Sequence, residues 1–171
     1  MMNFIDVKDD FLPEKEFREI QKIMMGNQFP WFYNDYICYP EDGLFQFGHT
    51  FYNDMVGQGR SHSGVNSDYY FIIQPLLQSL NVKILRRAKA NLNPANWWKR
   101  KGGHHMDYPD TPPLKTAIFY INTCNGYTEF KKVGKVKCVE NRVVFFDSDL
   151  YHQGITCTNQ KRKMVINFNY I

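Results

Sequence analysis

The chain has four cysteines, Cys38, Cys124, Cys138 and Cys157, and no two of them form a Cys-x-x-Cys pair. That spacing excludes a zinc ribbon and a dithiol redox motif, and it leads us to expect reduced, partly buried thiols. No apolar run approaches the length needed to span a membrane, so no membrane partner is expected. Met1 to Phe11 contains four charged residues and no apolar stretch, which argues against a signal peptide and for the cytoplasm. Long blocks of one charge are also missing. No basic run is longer than Lys161-Arg162-Lys163, and 21 basic residues against 17 acidic ones leave a formal charge of +4. A balance this mild does not by itself argue for nucleic acid. There is no internal repeat, low-complexity tract or linker, and 171 residues suit one domain with a real core.

What the chain does have is apolar and aromatic content. Hydrophobic residues make up 43% and aromatics 16%, which excludes disorder and favours β-structure. Phe4 to Val7 reads as a short first strand. Pro13 opens a helix over 14–25, with Phe17, Ile20, Ile23 and Met24 on one face, acids in the first turn and Gly26 at its end. Gln28 to Tyr39 and Leu44 to Tyr52 are aromatic segments broken by Pro30, Pro40 and Gly43, and read as edge strands or covering loops. His49, between Phe47 and Phe51, reads as structural. Asn53 to Asn66 is polar and Gly-rich, either a surface loop or a lid over a pocket, and His62 within it is too isolated to be a ligand. Asp68 to Leu80 predicts a second helix, kinked or late in starting because of Pro75. Val82 to Leu92 predicts a long strand, ended by a turn at Asn93-Pro94-Ala95-Asn96. Trp97 and Trp98 precede Lys99-Arg100-Lys101. Such a group can stack a substrate or base, but more often packs a sheet rim.

From Gly103 onward the pattern is short alternating strands between turn residues, which suggests a sandwich or barrel. The candidates are 114–123, 133–139, 142–146, 151–157 and 163–170, with turn signals at Asn125-Gly126 and Glu140-Asn141.

Chemistry-bearing residues concentrate here. In an extended segment side chains alternate, so His105 and Asp107 point to the same side. His152 follows 45 residues after that Asp. Two histidines and one carboxylate on one face of a metal make the facial triad of non-haem iron oxygenases, with open positions left over. His104 competes with His105, but parity points it away from Asp107. Asp147 and Asp149 are alternative carboxylates near His152, although Asp-Ser-Asp between strands is ordinary turn chemistry. The last strand splits in the same way. Lys163, Val165, Asn167 and Asn169 share one face, and Met164, Ile166, Phe168 and Tyr170 share the packing face. A buried ammonium needs an anion, and the far carboxylate of a metal-chelating 2-oxo acid supplies one. Arg162 is the rival anchor, with a more rigid guanidinium, and a bulge before Met164 would bring it onto the same face. On strand 114–123, Tyr120 is placed to share that carboxylate.

These residues resemble the Fe(II)/2-oxoglutarate-dependent dioxygenases. His-Met-Asp-Tyr-Pro followed by Lys-Thr-Ala-Ile-Phe-Tyr-Ile-Asn looks like the prolyl 4-hydroxylase group. Gly126 to Phe130, Asn141 to Phe146 and Val165 to Tyr170 look like its small viral and bacterial members. The resemblance covers about 83–171 well. It implies a mainly β double-stranded β-helix (jelly-roll, cupin-like) core over 83–171, with helices and covering strands over 1–82. It implies Fe(II) on His105, Asp107 and His152, and 2-oxoglutarate on Lys163 with Tyr120, Asn167 and Arg162 nearby. O₂ is the further co-substrate, and ascorbate the accessory reductant. Where the family's usual Arg is expected, this chain has Lys163, with Arg162 beside it. Because Asp107 occupies its ligand position, hydroxylation is expected rather than halogenation. Peptidyl proline is the substrate the group suggests, with a small molecule or nucleobase as alternatives, in the host cytoplasm if the chain is virus-encoded. Two other classes fit the residues: a non-catalytic jelly-roll binding module, and a hydrolase holding zinc in the same three ligands.

Overall fold

The structure is a computed structural model that describes residues 5–54, 64–108 and 114–171. The loop over 53–66, with His62, falls largely outside the described residues, as do Phe4 of the first expected strand and Pro109 of the histidine motif.

The protein is mostly β, with antiparallel sheets and few helices. In chain order the elements are β1 (Asp6–Lys8), α1 (Glu14–Met25), β2 (Phe32–Asn34), β3 (Gln46–Asn53) and β4 (Gly64–Val65). A 3-10 turn (Asp68–Ile73) leads into α2 (Gln74–Ser79) and β5 (Leu85–Pro94). Then come β6 (Lys115–Tyr120), β7 (Tyr127–Phe130), β8 (Gly134–Lys137), β9 (Val143–Asp147), β10 (His152–Ile155) and β11 (Arg162–Tyr170). Eight strands form one sheet in the order β1-β9-β6-β11-β5-β3-β2, with β4 added on β3, and β10-β7-β8 form a second sheet of three strands.

The large sheet divides two cores. On one side α1 and α2 pack against it: Phe17, Ile20, Met24 and Leu76 meet Ala88, Ala90, Phe119, Met164, Ile166 and Phe168. Phe17 meets Phe119 edge-on at 6.0 Å between ring centroids, the geometry that aromatic quadrupoles favour. On the other side Ile118, Tyr120, Val144 and Val165 meet Phe130, Val136, Leu150 and Cys157 from the region of the small sheet. The even and odd residues of β11 therefore serve different cores, as its alternation requires. Asn141 ties the N-terminal segment to the sheet. It is buried in a left-handed turn (φ 57°), donates to the Leu12 carbonyl at 2.8 Å and accepts from the Leu12 N–H at 3.0 Å.

The second helix starts late, as Pro75 led us to expect: a 3-10 turn precedes a short α-helix, and Pro75 stands in the first turn of α2, where its missing N–H costs nothing. Two details differ from the sequence expectation. β3 is an interior strand between β2 and β5, and its buried residues lie on both faces. β5 starts later than expected and continues through Pro94, whose partner is Arg162 on β11. All four cysteines are free. Among the described residues no helix is long and apolar enough to cross a membrane.

Candidate metal and co-substrate site

His105 lies outside regular strand structure, yet its backbone pairs with His152 at the start of β10. The His105 N–H donates to the His152 carbonyl at 2.9 Å, and the reverse bond is 3.0 Å. Directly opposed residues present side chains to the same side, and the two rings lie 4.6 Å apart between centroids. Asp107, two residues after His105, completes the group. Its Oδ1 is 3.8 Å from His105 Nε2, and one ligand atom from each of the three residues lies within 4.8 Å of the others. His104 is not part of this group; its carbonyl accepts from the Tyr39 hydroxyl at 2.7 Å. Asp147 pairs with Lys115, and Asp149 is exposed.

The surroundings fit the three side chains for metal binding. Nδ1 of His105 faces the Gly103 carbonyl at 3.1 Å, and Nδ1 of His152 faces the Leu150 carbonyl at 2.9 Å. A carbonyl can only accept, so each Nδ1 carries the proton and each Nε2 keeps its lone pair for a cation. Burial pushes His152 below the ordinary histidine value, against the pull of Asp107, and so favours the neutral, ligating form. Burial also opposes ionisation of Asp107. Against it act the attraction of His152 whenever that ring is protonated, the Arg87 guanidinium, the Asn169 hydrogen bond and a protonated His105, and the net direction is a carboxyl below its usual range.

Asp107 is oriented through its other oxygen. Oδ2 accepts from Asn169 Nδ2 at 2.9 Å and from Thr116 Oγ1 at 3.1 Å, which leaves Oδ1 toward the histidines. Thr116 Oγ1 in turn lies 2.9 Å from Ser148 Oγ. Thr116, Ser148 and Asn169 were not among the expected site residues. The alternation of β6 and β11 places Thr116 and Asn169 on the site face, but which acid they serve depends on a pairing between distant segments.

A cavity of about 320 Å³ opens beside the three ligands, within the usual range for small-molecule sites. Lys163, Val165 and Asn167 of β11 line it, together with Thr128 of β7 and Gly154 of β10. Arg87, Lys89, Asn91 and Asn93, alternate residues of β5, form another wall. Lys163 is only 3% exposed. Its Nζ donates to the Tyr127 carbonyl at 2.8 Å, and among the described residues no carboxylate forms an ion pair with it. Burial pushes its pKa below the ordinary lysine value. Asn167 Oδ1 and Asn91 Oδ1 are buried without a hydrogen-bond partner. Gly126 makes room for the lysine stem: a Cβ there would lie 2.8 Å from the Ile155 carbonyl oxygen and 3.1 Å from Lys163 Cδ.

Arg162 does not line the cavity, and the pairing of β11 with β5 is regular from Arg162 to Asn169, so no bulge precedes Met164. Tyr120 stands one residue behind the wall. It is fully buried, and its hydroxyl donates to Thr128 Oγ1 at 2.7 Å, so Thr128 is the group that reaches the cavity. His49 is a packing residue: its ring nitrogens lie 2.8 Å from the Pro30 carbonyl oxygen and 2.7 Å from Ser67 Oγ.

No protein-family model matches the chain, and a search of curated proteins finds no relative. Solved structures do match it. An oxidoreductase of the 2OG-Fe(II) oxygenase family from Burkholderia pseudomallei aligns with a TM-score of 0.69 at 12% identity, over 97% of this chain and 84% of that one. A Trichoplax adhaerens prolyl hydroxylase, in complex with a hypoxia inducible factor oxygen degradation domain peptide, aligns at 0.65 and 12% identity, over 99% and 84%. A Pseudomonas putida prolyl-4-hydroxylase aligns at 0.56 and 13% identity, over 99% and 93%. The fold is shared with 2OG-Fe(II) oxygenases and prolyl hydroxylases at a level of identity that speaks for the fold alone.

Proposed function

We propose that the protein is an Fe(II)- and 2-oxoglutarate-dependent dioxygenase that hydroxylates its substrate, built on a double-stranded β-helix. The observation that carries this reading is the juxtaposition of two unlike features in one cavity. His105, Asp107 and His152 present a two-histidine, one-carboxylate face, and Lys163 is a buried cation without an acidic partner among the described residues. A structural zinc site would account for the first feature and leave the second unexplained.

When bound, Fe(II), 2-oxoglutarate and O₂ supply oxidative decarboxylation coupled to hydroxylation, with ascorbate as the accessory reductant. The chain's own residues bind and orient. Nε2 of each histidine and Oδ1 of Asp107 would hold the metal. Lys163 receives the far carboxylate of the co-substrate, with the Asn167 carboxamide and the Thr128 hydroxyl beside it. Tyr120 fixes Thr128 by its hydrogen bond, and Asn169 and Thr116 keep Asp107 from rotating. Two of the fold neighbours are prolyl hydroxylases, and peptidyl proline is the substrate class we carry over from them.

Turnover tests this reading. Protein loaded with Fe(II) in air is expected to consume 2-oxoglutarate and release succinate, slowly even without substrate. Folded, iron-loaded protein that releases none would leave the binding-module or hydrolase reading in its place.

A further inference from the structure

The two basic segments that are separate in sequence become one surface in the fold. Residues 96–101 run beside β10: Arg100 and Thr156 exchange backbone and side-chain hydrogen bonds, and Lys101 bridges to Ile155. The β7–β8 hairpin lies on the other side of β10. Lys99, Lys101, Lys131, Lys132, Lys135 and Lys137 are all exposed. Segments 97–101 and 127–137 hold seven of the 21 basic residues and one of the 17 acids, so the rest of the chain is net acidic by two. The single acid, Glu129, already accepts from Gln153 Nε2.

Aromatic rings are interleaved with this charge. Lys99 and Lys135 lie over the Tyr127 ring at 5.1 and 5.4 Å, and Lys131 lies over the Tyr151 ring at 5.1 Å. Trp97 is 95% exposed and Trp98 64% exposed. The sequence favoured these tryptophans packing a sheet rim, and the structure leaves them in solvent. Large indoles are rarely left so open. The hairpin tip, Lys131 and Lys132, borders a shallow depression with His104, whose carbonyl holds Tyr39 on the wall of the metal cavity.

We propose that this surface docks single-stranded nucleic acid, with phosphates on the lysines and unpaired bases stacked on Trp97 and Trp98. A field of lysines alone would fit any polyanion. The two open indoles favour a partner with flat, unstacked π-faces, which a duplex hides and an acidic peptide lacks. An anionic membrane would satisfy the lysines too, but it takes up a broader apolar face than two side chains provide. The inference does not depend on the metal.

The test is fluorescence anisotropy with a labelled 20-residue oligothymidylate at several salt concentrations. The same-length duplex, polyglutamate and phosphatidylserine vesicles serve as rival probes. The single strand is expected to bind best, with affinity falling steeply as salt rises. Lys135→Gln with Lys137→Gln should reduce the log–log salt slope by about 1.4, since each phosphate contact on a single strand contributes about 0.7. Trp97→Ala with Trp98→Ala should weaken binding roughly tenfold or more and leave the slope unchanged. The thermal melts of both variants should match that of the unsubstituted protein, which shows that they are folded. No binding at about 50 mM salt, tighter binding to duplex, polyglutamate or vesicles, or unchanged affinity in the tryptophan variant would each overturn the proposal.

Discussion

Asp107→Ala is expected to strip the protein of Fe(II) while leaving it folded. Asp107 is the one carboxylate in the ligand group and supplies its charge. The fold does not need it, because the two cores lie elsewhere and the backbone bonds that pair His105 with His152 remain. Truncation also frees Asn169 and Thr116 from an acceptor, and each keeps the other, since Asn169 Nδ2 donates to Thr116 Oγ1 at 2.9 Å. Losing an outer partner of a metal ligand typically costs about 10–100-fold in affinity, so Asn169→Ala should fall in that range and Asp107→Ala well beyond it. His105→Ala and His152→Ala should behave like Asp107→Ala. His104→Ala should retain the metal, because its ring is outside the group. Metal content after Fe(II) loading, read beside a thermal melt, checks the series. Iron lost from the His104 variant and kept by the His105 variant would show that the other histidine is the ligand.

Lys163→Met is expected to raise the 2-oxoglutarate requirement by some two to three orders of magnitude. Methionine keeps most of the buried stem and removes the charge. Breaking a buried ion pair typically costs about 3–5 kcal/mol, and about 1.4 kcal/mol is tenfold. Iron affinity should barely change, since Lys163 is not among the three ligands. Arg162→Ala should cost under about 1 kcal/mol, as for a partly exposed charge with no acidic partner among the described residues. The concentration of 2-oxoglutarate giving half-maximal succinate release separates the two. The reverse ranking would make Arg162 the anchor.

Much of this site is legible in the sequence, for a definite reason. Alternation in an extended chain sorts side chains to faces without knowledge of the fold. That is enough to separate His105 and Asp107 from His104, and Lys163 and Asn167 from the packing residues of β11. What alternation does not give is the neighbour across the sheet. The opposition of His105 and His152 joins segments far apart in sequence. So does the support of Asp107 by Thr116, Ser148 and Asn169. Tyr120 is on the expected face, but Thr128, from a strand the sequence pattern did not mark, takes its hydroxyl. β3 read as an edge because its aromatics and flanking prolines suit one, and only the pairing shows β2 outside it. Half of the lysine surface was visible, as the basic triplet after Trp97 and Trp98, but its continuation on the β7–β8 hairpin was not, because β10 brings the two segments together only in the fold.

The most direct measurement is an anaerobic titration of 2-oxoglutarate into Fe(II)-loaded protein, followed by visible absorption. A bidentate 2-oxo acid on an iron held by His105, Asp107 and His152 should give a metal-to-ligand charge-transfer band that saturates with the co-substrate. The band should be absent in Asp107→Ala and shifted to much higher 2-oxoglutarate in Lys163→Met. Protein that binds Fe(II) in this site and shows no band at any 2-oxoglutarate concentration would contradict the assignment.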